Sequence, residues 1–384
     1  MDIFSAATGN IGWLLGYVIP FLFVLTIVVF FHELGHFWVA RRAGVKIETF
    51  SLGFGPEIAG FNDRHGTRWR LAAIPLGGYV KFFGDENAAS VPDHDSIAAM
   101  NEADRSRSFF HKSVGWRAAI VAAGPIANFI LAIVIFAALF MTTGRQVATP
   151  VVDSVQAGSA AERAGFQPKD LILSIDGEPI ETFADMQRIV SAKADVPLKI
   201  VVERDGAPFD LTATPERREV ADPFGGKHAI GVLGIARSSD NGAVKVQRFG
   251  PVDSVVMATK EVWFIVDRTF SYLGGVVTGR ESTDQLGGPI RIAQVSGQVA
   301  TFGFAPLMQL AAVLSVSIGL LNLFPIPLLD GGHLLFYAVE ALRGRPLSAR
   351  TQEMGFRIGL AFVVMLMLFA TWNDILNILN ISKS

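Results

Sequence analysis

Residues 30–42 read FFHELGHFWVARR, and this stretch decides the fold because it sets two histidines and a glutamate at the end of an apolar run. No Asp, Glu, Lys, Arg or His lies between Asp2 and His32, and LLGYVIPFLFVLTIVVFF (14–31) alone approaches the roughly 20 residues that span a bilayer. Ionisable side chains at that depth are costly, so their presence asks for a function. In H-E-x-x-H on a helix, His32 and His36 are four apart and share a face, while Glu33 stands beside His32. Two imidazoles suit zinc, and Glu33 is then the expected general base toward water at the metal. A cluster snorkelling to the interface is the competing reading.

Outward from this stretch, three further uncharged runs appear. They lie between Arg117 and Arg145, between Arg291 and Asp330 (best part PLMQLAAVLSVSIGLLNLF, 306–324), and over IGLAFVVMLMLFATW (358–372). The spans are expected at about 12–40, 117–142, 306–328 and 355–373. The first lacks a basic n-region and reads as a retained helix rather than a signal peptide. Arg41, Arg42 and Lys46 follow the first span, Lys112 and Arg117 precede the second, and Arg343, Arg345, Arg350 and Arg357 separate the third and fourth. By the bias of basic residues, that side is cytoplasmic and both termini lie outside.

A net charge of −2 with no polybasic tract gives no basis for nucleic-acid binding, and the absence of cysteine leaves His, Asp and Glu to hold any metal. A third ligand at similar depth is needed. NLFPIPLLDGGH (322–333) offers Asp330 after two helix-breaking prolines, with His333 as the alternative. His65, His94, His111 and His228 sit in polar surroundings and read as solvated.

The soluble segments follow from turn chemistry. RWRLAAIPLGGYVKFFGD (68–85) reads as two short strands joined at Pro75 to Gly78, and 87–107 as a polar loop or short surface helix. AGSAAERAGFQPKDLILSIDGEPIETFADMQRIV (157–190) resembles a PDZ domain of the bacterial protease-associated type, departing from it at Ala160 and Lys169, where that type has Pro and Gly. Such a domain binds peptide C-termini by strand addition, or serves as a spacer or gate. The run 253–277, interrupted by four charges, reads as an interfacial amphipathic helix.

HELGH (32–36), AGPIANF (123–129) and NLFPIPLLDGGH (322–333), in order around a PDZ-like segment, resemble the site-2 protease family of intramembrane metalloproteases. SLGFGP (51–56) and PLGGYVKF (75–82) are similar to the bacterial regulator of sigma-E group within it, although that group often carries two PDZ domains and one is seen here. The resemblance implies His32, His36 and Asp330 as ligands of Zn2+ and Glu33 as catalytic base. It implies that Asn322 holds substrate or the oxyanion, an interhelical hydrogen bond being the alternative. It also implies that Gly77, Gly78 and Tyr79 belong to a hairpin entering the membrane beside the zinc to hold substrate extended. Gly124 and Asn128, four apart, read as a helix-packing motif with a polar contact.

The expected architecture is a polytopic α-helical membrane protein with four transmembrane helices, a membrane-associated β-hairpin and one inserted periplasmic α+β PDZ domain. Its parts are 1–144 (with the hairpin region 41–115) and 305–384 as the protease core, 145–216 as the PDZ domain, and 217–304 as a connector. The implied activity is zinc-dependent cleavage of single-span proteins within the bilayer of the bacterial inner membrane, with the zinc toward the cytoplasm. Anti-sigma-factor-like proteins trimmed at a first site and remnant signal peptides are the implied substrates, in regulated intramembrane proteolysis under stress. A transporter or metal carrier, or a non-catalytic PDZ scaffold, are the alternatives.

Overall fold

The computed structural model describes residues 3–85, 100–221, 227–236, 244–279 and 287–381. In chain order, the first unit begins with α1 (Ile3–Arg42), the strands β1 (Ile47–Asn62) and β2 (Arg68–Phe82), α2 (Glu102–Arg107) and α3 (Val114–Thr142). The central part carries β3 (Arg145–Ala148), β4 (Ser154–Val155), α4 (Ala160–Arg163), β5 (Leu171–Ile175), β6 (Glu178–Pro179), α5 (Phe183–Ala192), β7 (Leu198–Arg204) and β8 (Ala207–Ala213). It ends with β9 (Glu216–Ala221), β10 (Lys227–Val232), β11 (Ile235–Ala236) and β12 (Val244–Gln247). Five helices follow: α6 (Pro251–Val277), α7 (Pro289–Thr301), α8 (Phe304–Leu323), α9 (Asp330–Arg343) and α10 (Ala349–Ile381).

Four stretches are helical, long and apolar enough to cross a membrane among the described residues: Leu15–Arg42, Val114–Thr142, Phe304–Leu323 and Arg350–Leu376. The chain is therefore a polytopic membrane protein. On α10 the apolar side chains from Leu360 to Phe369 are largely exposed on all sides, an arrangement that water does not tolerate and lipid does.

The hairpin corrects one expectation. Pro75 to Gly78 is not its turn; both ends of 68–82 belong to one strand, β2, and the turn is at 63–67. Asp63 closes that turn by accepting from the amides of His65 (2.9 Å) and Thr67 (3.0 Å), and it pairs with Arg41 at the end of α1. Burial alone would raise the Asp63 carboxyl, but Arg41, these amides and the Trp69 indole outweigh it and hold it far below the usual carboxylate range. The short apolar alternation misled because the pairing partner, β1, lies upstream.

The long hairpin then doubles over on itself. Thr49 to Leu52 pair with Lys81 to Gly78 on one side and, in the same sense of travel, with Arg68 to Leu71 on the other. Four segments thus stand side by side in the order 78–81, 49–52, 68–71, 59–62, with 78–81 at an edge. Phe50, fully buried, stacks on Trp69 at 4.2 Å and meets Phe37 of α1 edge-on at 5.6 Å, which fixes the sheet against the helix. Of the segment expected to be loop or short helix, 102–107 is α2; residues 87–99 and His94 lie outside the described residues.

The four-stranded antiparallel sheet of the second unit has the order β6-β5-β7-β8 and buries Ile172, Ile175, Leu198, Ile200 and Val202 against Met186 and Val190 of α5. Thr182 caps α5 by accepting from the Asp185 amide at 3.0 Å. Leu233, 3% exposed, joins the same core, and β11 pairs with β4. Lys169 has φ of 79°, a left-handed conformation that explains why glycine is the usual residue there.

Candidate active site

Three side chains from two helices converge. His32 and His36 project from one face of α1, and Asp330 opens α9, where a carboxylate in the first turn also favours the helix dipole. Pro325 and Pro327 force the chain out of α8: Phe324 takes an extended backbone (φ −63°, ψ 143°), as a residue before proline does. The two glycines after Asp330 have a steric reason. A Cβ on Gly331 would strike the carbonyls of Leu323 and Phe324, and one on Gly332 would strike Pro327 Cα, so only glycine lets α9 start this close to the end of α8. Leu328 sits at φ 97°, a strained conformation for a side-chain-bearing residue two positions before Asp330.

The donor atoms fit one ion. His32 Nε2 lies 3.2 Å from Asp330 Oδ2, His36 Nε2 lies 3.6 Å from Asp330 Oδ1, and the two Nε2 atoms are 3.2 Å apart. Tetrahedral bonds of about 2.0–2.1 Å to nitrogen and oxygen place ligand atoms about 3.3 Å from one another, close to all three separations. Both imidazoles are 9% exposed. Asp330 Oδ2 is buried without a hydrogen-bond partner among the described residues, despite the imidazole beside it. A buried, unbonded carboxylate oxygen facing two ring nitrogens is a poor neutral arrangement and a good cation site. Among the described residues this is the group able to hold a metal.

Helix α3 completes the surroundings. Pro125 removes the helical N–H that would bond the Val121 carbonyl. One residue earlier, the Ile120 carbonyl accepts from His36 Nδ1 at 2.9 Å. A Cβ on Gly124 would fall on the His36 ring, and one on Gly35 would fall on the Ala123 carbonyl, so paired glycines set the closeness of α1 and α3. Asn128, fully buried, places its amide 3.3 Å from His32 Nδ1. The sequence reading treated Gly124 and Asn128 as packing; their i, i+4 spacing, matched to that of His32 and His36, was the available signal for contact with those rings.

The remaining residues line one cavity of about 520 Å³, shared by Glu33, Gly78, Tyr79, Asn322, Asp330 and His333. Glu33 is within hydrogen-bonding reach of the Val80 amide on the sheet edge. Gly78 is backed against α1, since a Cβ there would lie 2.9 Å from Val29 and 3.1 Å from Glu33. Gly77, at φ 123°, is held by Phe54 and does not line the cavity. His333 is not part of the converging set; its ring packs 5.3 Å from Phe356 and 6.4 Å from Tyr337. His65 and His111 are exposed, His94 lies outside the described residues, and His228 falls in β10.

Two histidines, one aspartate and an adjacent glutamate, gathered at helices able to cross a membrane, define a membrane-embedded metallopeptidase. Residues 20–366 match peptidase family M50, the site-2 protease family, and the chain belongs to it. It is 55% identical to a candidate zinc metalloprotease of Rhizobium meliloti (94% of this chain, 97% of that one). It is 44% identical to the metalloprotease MmpA of Caulobacter vibrioides (95% and 96%). It is 32% identical to the regulator of sigma-E protease RseP of Salmonella typhimurium (92% and 97%). The protein is a zinc metalloendopeptidase of the membrane, and its substrates are membrane proteins.

Proposed function

We propose that this enzyme is an intramembrane endopeptidase that cuts single-span proteins inside their transmembrane segments. One observation carries the proposal: the metal-competent set, Glu33 and the 78–81 edge of the doubled hairpin open on a single cavity. A transmembrane helix hides its amides in internal hydrogen bonds and must be unwound before a peptide carbonyl can be attacked. The edge 78–81 offers replacement partners, so the substrate can lie extended beside Glu33 as an added strand.

His32, His36 and Asp330 hold the zinc. Bound there, zinc would supply Lewis acidity toward a carbonyl and a water. Glu33 takes the proton of the attacking water and delivers it to the leaving amine. Asn322, half-buried in the cavity wall, donates its amide to the developing oxyanion, a contribution of about 3–4 kcal/mol for such donors.

The basic clusters after the first span, before the second and between the third and fourth orient the chain with the zinc toward the cytoplasm and both termini outside, in the bacterial inner membrane. The sheet β6-β5-β7-β8 with α5 is then a periplasmic PDZ domain, running from 145 to about 236, that binds peptide C-termini or rejects bulky substrates by size. The parts 1–144 and 305–384 form the protease core, with α6 lying at the interface within the connector. The Salmonella relative is named a regulator of sigma-E protease; anti-sigma-factor-like proteins trimmed at a first site and remnant signal peptides are the substrates we propose, in regulated intramembrane proteolysis under stress.

The test is reconstitution of purified protein in liposomes with a single-span substrate, followed by mass spectrometry of the products. Cleavage within the span, abolished by chelator and restored by zinc, is expected. Cleavage confined to residues outside the span contradicts the proposal.

A further inference from the structure

We infer that Asn128 is a positioning residue for the metal site, selecting which nitrogen of His32 carries its proton. The inference rests on His32 serving as a zinc ligand, and it goes beyond the set of ligands and base.

A ligating imidazole must present an unprotonated nitrogen, so something must hold the proton on the other one. For His36 the answer is direct. Its Nδ1 donates to the Ile120 carbonyl at 2.9 Å, an acceptor that cannot donate, and its Nε2 is thereby left with a lone pair toward Asp330 and His32. For His32 the polar neighbour at Nδ1 is the amide of Asn128, at 3.3 Å. An amide can do either job: its Nδ2 donates, its Oδ1 accepts, and a half-turn of the side chain exchanges them.

The two orientations have opposite consequences. With Nδ2 toward His32, Nδ1 must accept, and the proton resides on Nε2, facing Asp330 Oδ2 at 3.2 Å. In that orientation Asn128 Oδ1 is buried without a hydrogen-bond partner among the described residues. An unsatisfied buried acceptor costs about 1–3 kcal/mol. With the amide turned, Oδ1 accepts from Nδ1–H, the orphan is satisfied, and Nε2 is cleared for the ion. Zinc loading and the turned amide therefore favour one another.

The backbone that carries Asn128 is pinned from the other side. The Ser315 hydroxyl of α8 donates to the Asn128 carbonyl at 2.8 Å, and a Cβ on Gly319 would come within 3.2 Å of Asn128 Cβ. Only the amide is left to choose an orientation, because helix α8 fixes the Cα from which it projects. Outer partners of metal-bound histidines typically change affinity by about 10–100-fold when removed.

The test uses the full-length protein with Asn128→Leu, of similar size but with no acceptor, and Asn128→Asp, which can only accept. Zinc affinity is measured by chelator competition and ligand geometry by the visible spectrum of the cobalt-substituted protein. Asn128→Leu is expected to lose about 10–100-fold in zinc affinity and to shift the cobalt bands, with the melting temperature in chelator unchanged. Asn128→Asp is expected to keep wild-type affinity. Wild-type affinity in Asn128→Leu, or an equal loss in both variants, overturns the inference. Should Asn128→Leu fail to fold, Asn128→Ala, smaller and equally without an acceptor, takes its place in the same measurement: a loss of zinc affinity that Asn128→Asp does not show supports the inference, and wild-type affinity overturns it. A wild-type protein that binds no zinc contradicts the ligand reading instead, so the two failures are distinct.

Discussion

Asp170 is fully buried and Asp330 partly buried with its Oδ2 enclosed, and the surroundings of the two carboxylates differ in kind. Asp170, its side chain fully buried, has its oxygens engaged: Arg204 donates to Oδ1 and Oδ2 at 2.7 Å each, and the Gln167 amide donates to Oδ2 at 2.8 Å. Burial alone would raise its carboxyl, yet the Arg204 pair and the Gln167 amide overcome that and hold it below the usual range. Asp330 faces two imidazoles, and among the described residues its enclosed Oδ2 has no donor other than the His32 ring nitrogen 3.2 Å away. A carboxylate whose lone pairs are all answered by protein donors is part of the fold. One set among ring nitrogens, with a donor geometry that suits a cation, belongs to the site.

The sharpest way to break this contrast is to remove each carboxylate. Zinc binding worth about 10–16 kcal/mol in structural sites amounts to several kcal/mol per ligand. Asp330→Ala is therefore expected to lower zinc affinity by on the order of 100–1,000-fold and cleavage to background, while the melting temperature in chelator stays level or rises. His333→Ala should retain zinc; equal zinc in the Asp330 variant would place the third ligand elsewhere.

Asp170→Asn should do the reverse. Breaking a buried pair costs about 3–5 kcal/mol, read as faster amide hydrogen exchange in β5 and β7 with zinc content unchanged. The pair also sets a pH dependence. Its carboxyl is lower folded than unfolded, so its stabilisation is complete above about pH 4 and is lost as pH falls through the folded value. Exchange in β5 and β7 should accelerate on acidification in wild type and much less so in Asp170→Asn.

Smaller effects sharpen the same contrast. Gly124→Ala pushes a methyl onto the His36 ring, and overpacking of about 1–3 kcal/mol should appear as roughly a tenfold loss of zinc affinity. Next to Asp170, Lys169→Gly should stabilise the central unit by about 1 kcal/mol by relieving the left-handed backbone, leaving zinc affinity alone.

Much of the site was legible because metal chemistry and bilayer energetics both act on residue type. His32, Glu33 and His36 stand out where charge is expensive, and Asp330 follows two prolines that no spanning helix needs. Two things were not legible. The hairpin's turn was misplaced because 78–81 pairs with 49–52, 26 to 32 residues upstream, and a second, folded-back pairing joins 49–52 to 68–71, which no local alternation encodes. The contact of Asn128 with His32 depends on where α1 and α3 cross, and that crossing is set by Gly35 and Gly124, which sequence shows only as small residues.

The central claim is that Glu33 is the base of a zinc-dependent cut within the membrane. Its most direct test compares wild-type and Glu33→Gln protein in the same liposomes, with zinc content and products measured together. Glu33→Gln should retain stoichiometric zinc while the rate falls by about 100–10,000-fold, the range for a lost general base. Wild-type cleavage rates in zinc-loaded Glu33→Gln protein would contradict the account.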